Sequence, residues 1–138
     1  MQKIQVLIDY SKHDPTMWLS ALRLAGKFDA TIYATHIFHP DYLEIVKELA
    51  LLEGNDADDQ FENFIWLHEE IEKERMQKFI DELTPVNFRH IPIIKIITYG
   101  YPVIEMLRMQ EEQNFDLVDA FIADQVEFIL GDFMVALD

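Results

Sequence analysis

The first apolar run of this chain ends in a carboxylate and is followed by a hydroxyl and an imidazole: Asp9-Tyr10-Ser11-Lys12-His13. A carboxylate at the end of a buried strand has two uses. It can close the turn by accepting backbone N–H groups ahead of a helix, or it can accept hydroxyls from a ligand at the carboxyl edge of a sheet. Both readings of Asp9 stand on the sequence alone. Ser11 and His13 have no third group at the spacing of a triad, so Ser11 reads as a turn residue and not as a nucleophile. His36 and His39 could meet Asp9 and Asp41 at one sheet edge. A His-x-x-His spacing at a strand end does not bring both rings to one face, so no metal site is expected. Asp56, Asp58 and Asp59 offer oxygens but lack the Asp-x-Asp-x-Asp-Gly frame and twelfth-position Glu of a calcium loop. Glu69, Glu70, Glu72 and Glu74 read as a solvated helix face, and His68 as a satisfied core or interface histidine. Tyr99 and Tyr101, around Gly100, read as turn packing. No catalytic residue is expected.

The stretch after Asp116-Leu117-Val118 is as informative. The segment Asp119-Ala120-Phe121-Ile122-Ala123-Asp124-Gln125 holds no Gly, Ser, Thr, Lys or Arg. A phosphate needs close backbone N–H groups, which glycine permits, or a positive charge. The sequence therefore predicts half of a ligand site at Asp9 and no phosphate turn to complete it.

Composition narrows the partners. A chain of 138 residues with 50% hydrophobic content and ten Phe is sized for one domain with a full core. Its formal charge of −15 argues against nucleic acid and anionic membrane, both of which are held by Lys and Arg clusters. No cysteine is present, which removes disulfide and thiol chemistry and fits a reducing compartment. No leader is read before the first strand, and no apolar run approaches the roughly 20 residues of a membrane span. A cytoplasmic protein is the expectation.

The elements that must hold these residues are set by periodicity. Lys3 to Ile8 reads as a strand buried on both faces. Asp14 suits an N-cap and Pro15 a first helical position, opening a helix to about Lys27 with Met17, Trp18, Ala21, Leu22 and Ala25 on one face. Thr31 to Phe38 is the second strand. After His39-Pro40, Asp41 begins a helix to about Leu52, and Glu53 to Gln60 forms an acidic loop. Phe61, Phe64, Ile65, His68, Ile71, Met76, Phe79, Ile80 and Leu83 form the stripe of a long helix that Pro85 ends. Ile91 to Thr98 is a third strand, with Pro92 marking it as an edge. Pro102 starts a helix to about Asn114, and Phe115 to Val118 is a short fourth strand stopping before Asp119, a costly residue in a buried strand. Val126, Ile129, Leu130, Phe133, Met134 and Leu137 repeat at helical spacing, predicting a final helix that asks for a partner on one face. Strands alternating with helices give an α/β fold, an open and mostly parallel doubly wound sheet of about four strands in a single domain, 1–138.

Several segments carry a family likeness. Lys3 to Ser11, where a strand runs into Asp-x-Ser, resembles the opening of the universal stress protein (UspA) family. Ala21 to Ile32, Thr35 to Pro40, and Thr98 to Pro102 with Ile104, Leu107 and Glu111 to Val118 are similar to its later elements. The likeness covers roughly residues 3–118 and implies a flavodoxin- or adenine-nucleotide-hydrolase-like sheet. In nucleotide-binding members the residues ending strands one and two meet adenosine; here those are Leu7, Ile8, Asp9 and Ile37. Those members wrap phosphates with a Gly-x2-Gly-x9-Gly-Ser/Thr pattern after strand four, which this chain lacks. Two expectations result. One is a non-enzymatic, homodimeric regulatory or interaction protein with a degenerate nucleotide site, acting through protein contacts in a stress response. The alternative is a module that still holds ATP or AMP through the Asp9 half-site. No other cofactor and no metal is implied.

Overall fold

The computed structural model describes residues 2–41, 44–45, 47–48, 57–122, 125–130 and 133–137. The first strand, β1 (Gln2–Leu7), sits near the middle of a six-stranded sheet ordered β3-β2-β1-β4-β5-β6. Because side chains alternate along a strand, β1 feeds two cores. Ile4 and Val6, with Ile8 just beyond, face one helical layer, while Leu7 faces the other.

The helix α1 (Asp14–Phe28) buries Met17, Trp18, Ala21, Leu22 and Ala25, the face its 3.6-residue spacing sets. Asp29 ends it in the left-handed conformation, φ 53°, donating its backbone N–H to Ala25 O. β2 (Ala30–Phe38) then pairs parallel with β1, from Gln2 opposite Ala30 to Leu7 opposite Thr35. The residues described at 40–41, 44–45 and 47–48 are helical, as the sequence predicts for the stretch from Asp41. The rest of 42–56, including Asp56 of the acidic segment, lies outside the described residues.

The long helix α2 (Ala57–Leu83) begins four residues earlier than the stripe predicts and takes Asp58 and Asp59 into its first turn. It packs Met76 and Ile80 beside α1 on the same face of the sheet. The indole N–H of Trp18 donates to Thr84 Oγ1 at 3.0 Å, pinning α1 to the end of α2. A 3-10 turn, Val86–Phe88, leads to β3 (Ile93–Tyr99), parallel to β2 and at the sheet edge. Pro92 stands just before it, in keeping with the edge reading.

The other face carries α3 (Pro102–Gln113), whose Met106 and Met109 close a second core with Phe115, Leu7, Tyr33, Ile37 and Ile96. Buried Gln5 reaches across this layer, its amide 3.1 Å from Thr35 Oγ1 and 3.5 Å from Met109 Sδ. β4 (Leu117–Ile122) returns to the far side of β1, parallel to it. The four parallel strands match the expected doubly wound sheet. The strand order reverses between β2 and β4, which places a topological switch point at the carboxyl end of β1.

Two expectations are corrected here. β4 does not stop at Asp119, which pairs with Val6 on one side and Phe128 on the other. The tail is not a helix: β5 (Gln125–Leu130) runs antiparallel to β4, and β6 (Phe133–Leu137) antiparallel to β5. Val126, Phe128 and Leu130, then Phe133, Val135 and Leu137, also alternate at period two, and the sequence Gly131-Asp132 between the runs is a hairpin signal. β-branched and aromatic residues with a two-residue separator decide for strands over the helical spacing. Among the described residues, no helix is long and apolar enough to cross a membrane.

Candidate functional site at the carboxyl edge

The carboxyl ends of β1 and β2 gather a set of polar and aromatic side chains, and the turn from Ile8 to Asp14 organises it. Ile8 donates its N–H to Thr35 O at 2.8 Å, so the turn leaves the sheet still tied to β2. Asp9 Oδ1 accepts the Ser11 N–H at 2.9 Å, the turn-closing use of the carboxylate. Asp14 is not an N-cap. It lies inside the first turn of α1, His13 holds the cap position, and the carboxylate reaches backwards. Its Oδ2 accepts the Asp9 N–H at 3.0 Å and the Tyr10 N–H as well. Tyr10, held at φ 60°, turns the chain so that both N–H groups converge on that one oxygen.

The two carboxyl groups lie close enough that charge on one disfavours ionising the other. Burial and the neighbouring Asp9 push Asp14 up to about 7. Burial raises Asp9 too, but hydrogen bonds from Ser11 and Asp14 outweigh it and leave Asp9 below its ordinary value. Of the two, Asp14 is the more readily protonated and Asp9 the more readily ionised.

A second cluster faces the turn from α2 and β2. The Nδ1 of His36 lies 2.7 Å from Ile8 O, and a carbonyl only accepts, so the ring proton is on Nδ1. The Nε2 then points at Glu72 Oε2, 3.5 Å away. Glu72 is only 5% exposed, with His68 Nε2 at 3.9 Å and Arg75 at 3.7 Å from its other oxygen. The guanidinium of Arg75 lies 3.8 Å from the centroid of the Tyr10 ring, and His36 and Phe79 flank that ring at 5.2 and 5.9 Å. Burial and the nearby Glu72 carboxylate push the Tyr10 phenol up to about 12, so it stays protonated at physiological pH. Tyr10 Oη is buried with no hydrogen-bond partner among the described residues.

Of the residues expected to meet a nucleotide, Asp9 stands exposed at the turn. Ile8 is buried in the larger core, and Leu7 and Ile37 pack against the second core around Met106 and Met109. The structure thus brings these four to one end of the sheet but divides their side chains between its two faces. His36 and His39 part company: His39 holds Asp41, whose N–H donates to its Nδ1 at 3.1 Å. Among the described residues no three His, Cys, Asp or Glu side chains gather as metal ligands. His68 is a packed histidine, in T-shaped contact with Phe38 at 4.7 Å. Tyr99 and Tyr101, about half exposed, rest on Phe38 and His39.

Glu72 corrects the sequence reading. It is buried inside the α2 stripe, whereas Ile71, assigned to the stripe, is 52% exposed. A signal for this exists in the sequence: Glu72 falls four residues after His68 and four before Met76, in register with the inward face. Its polarity hides it from a reading based on hydropathy.

The fold has known parallels. Hypothetical protein MJ0577, the subject of a structure-based assignment of biochemical function, matches with a TM-score of 0.61 at 17% identity, over 85% of this chain and 72% of that one. Universal stress protein UspA from Lactobacillus plantarum matches with a TM-score of 0.53 at 15% identity, over 86% and 75% respectively. No protein-family model matches the sequence, nor does any curated protein. At these identities the likeness concerns the fold, and the fold is that of the universal stress proteins.

Proposed function

We propose that this chain is a non-enzymatic regulatory or interaction protein on a universal stress protein scaffold, cytoplasmic and homodimeric, whose nucleotide site is degenerate. The observation that carries this reading is the engagement of Asp9. Its carboxylate accepts the Ser11 N–H through Oδ1, and its backbone N–H is held by Asp14 Oδ2. A ribose hydroxyl at Oδ1 would compete with the Ser11 N–H. The side chains of Leu7 and Ile37 are likewise committed to packing against Met106 and Met109. The segment from Asp119 to Gln125 brings neither glycine nor cation to a phosphate. Charge works in the same direction, since a triphosphate would approach a chain of net charge −15.

Calorimetric titration with ATP, ADP, AMP and adenosine, with and without magnesium, tests the reading. The expected result is no saturable heat with ATP. Micromolar ATP binding would overturn the degenerate-site reading. Binding of AMP or adenosine alone, abolished by Asp9→Ala in a folded variant, would instead favour an adenine-nucleotide module using the Asp9 half-site. Sedimentation equilibrium tests the dimer, and a monomer at all concentrations would remove that part of the proposal.

A further inference from the structure

Away from the carboxyl edge, a cleft of about 410 Å³ opens between the second half of α2 and the amino end of β3. Its volume is that of a small-metabolite site. Its floor is aliphatic, formed by Ile80 and Ile93, and its rim is rich in donors. Lys95 gives one N–H to Gln77 Oε1 at 2.7 Å, leaving two of its three donors. Thr84, only 7% exposed, accepts the Trp18 indole N–H, so its own hydroxyl proton is available to a further acceptor. The guanidinium of Arg89 has no hydrogen bond or ion pair among the described residues. The acidic rim residue, Asp81, is occupied by the Gln77 amide at 2.8 Å.

Two of the eleven cations of a strongly acidic chain thus converge on one cleft against a single carboxylate. Donors in excess over acceptors, above an apolar floor, fit one class of ligand. We propose that this cleft binds a small organic oxyanion, with Arg89 and Lys95 holding the charged group, Thr84 donating to it, and Ile80 and Ile93 covering a compact apolar body. A phosphate monoester and a carboxylate share this chemistry. The planar fork of Arg89 suits both in bidentate fashion.

The test is an NMR titration of the whole chain with phenyl phosphate, benzoate and neutral benzyl alcohol. Saturable shifts at the Ile80 and Ile93 methyls with either anion, and none with the alcohol, are the expected result. Phenyl phosphate binding alone would identify a phosphate ligand, and benzoate alone a carboxylate. Replacing Arg89 and Lys95 together by Gln should weaken binding at least about tenfold. Both side chains are exposed, so the variant should keep its spectrum elsewhere. The inference falls if neither anion gives saturable shifts up to about 10 mM, if the shifts lie outside the cleft, if the alcohol binds equally, or if the double variant binds as well as the parent.

Discussion

Asp14 and Asp9 brace the turn that leads from β1 into α1, each through its carboxyl group on the backbone of that turn. The N–H of Asp9 donates to Asp14 Oδ2 at 3.0 Å, while Asp9 Oδ1 accepts from Ser11. Each carboxyl therefore holds a piece of the turn. Burial and the nearby Asp9 charge favour a proton on Asp14.

That proton makes the turn pH-dependent. Asp14 is raised from 3.8 to about 7 in the folded chain, so between those values the folded state binds more protons than the unfolded state. Stability from this group is complete below the unfolded value and is lost as pH rises through the folded one. The full shift corresponds to about 4 kcal/mol at 1.36 kcal/mol per unit. Asp14→Asn is neutral at every pH and keeps an acceptor for the two N–H groups. Denaturant melts from pH 4 to 8 should show the parent losing stability relative to the variant as pH rises. A constant difference between the two across that range would refute the raised ionisation of Asp14.

Glu72 and His36 should be coupled, because His36 Nε2 and the buried Glu72 Oε2 lie 3.5 Å apart between β2 and α2. His36 is anchored through Nδ1 to Ile8 O, so its Nε2 has one direction available, toward the carboxylate. Glu72→Gln is expected to change stability by about 1–3 kcal/mol, the range for altering a buried polar group set among His36, His68 and Arg75. With His36→Ala it should form a double-mutant cycle with a coupling of at least about 0.5 kcal/mol. Strict additivity in urea melts would mean the two residues do not interact in solution.

The contrast between these two clusters shows what the sequence carries. Asp9 is legible because a lone carboxylate at a strand end has few uses, and its turn-closing role is the one observed. The α1 core from Met17 to Ala25 is legible because apolar spacing and burial coincide there. Glu72 and Asp14 escape for one shared physical reason: both are charged groups whose burial depends on tertiary surroundings, and hydropathy assigns such groups to solvent. The tail fails differently. Its apolar residues satisfy both the helical and the alternating template, and pairing with β4 selects the strand.

Gly100 should resist substitution. It sits at φ 149°, a conformation L-residues rarely adopt, and a Cβ there would run into the Glu105 side chain. That side chain is fixed in turn by Arg108, which donates to it at 2.6 and 2.8 Å. Gly100 also donates its N–H to Phe38 O at 3.0 Å, holding the β3–α3 turn against the end of β2. Gly100→Ala is expected to lower stability by about 1–3 kcal/mol. Glu105→Ala would remove the steric half of the penalty, so the double variant should recover part of it in thermal melts. No recovery would place the whole cost in the backbone.

The two tryptophans report on opposite environments, which makes them probes of the α1–α2 contact. Trp18 is fully buried, edge-on to Phe79 at 5.9 Å, with its N–H on Thr84. Trp66, on α2, is 64% exposed. Trp66→Phe should leave a blue-shifted emission that acrylamide quenches poorly and should change stability little, as an exposed site does. Trp18→Phe should leave red-shifted, readily quenched emission and cost about 1–3 kcal/mol, because Thr84 Oγ1 loses its donor and the smaller ring leaves space beside Phe79. Quenching of the Trp66→Phe variant as strong as that of the Trp18→Phe variant would show that the helices do not close over Trp18. The contact that pins the end of α2 to α1 would then be absent in solution.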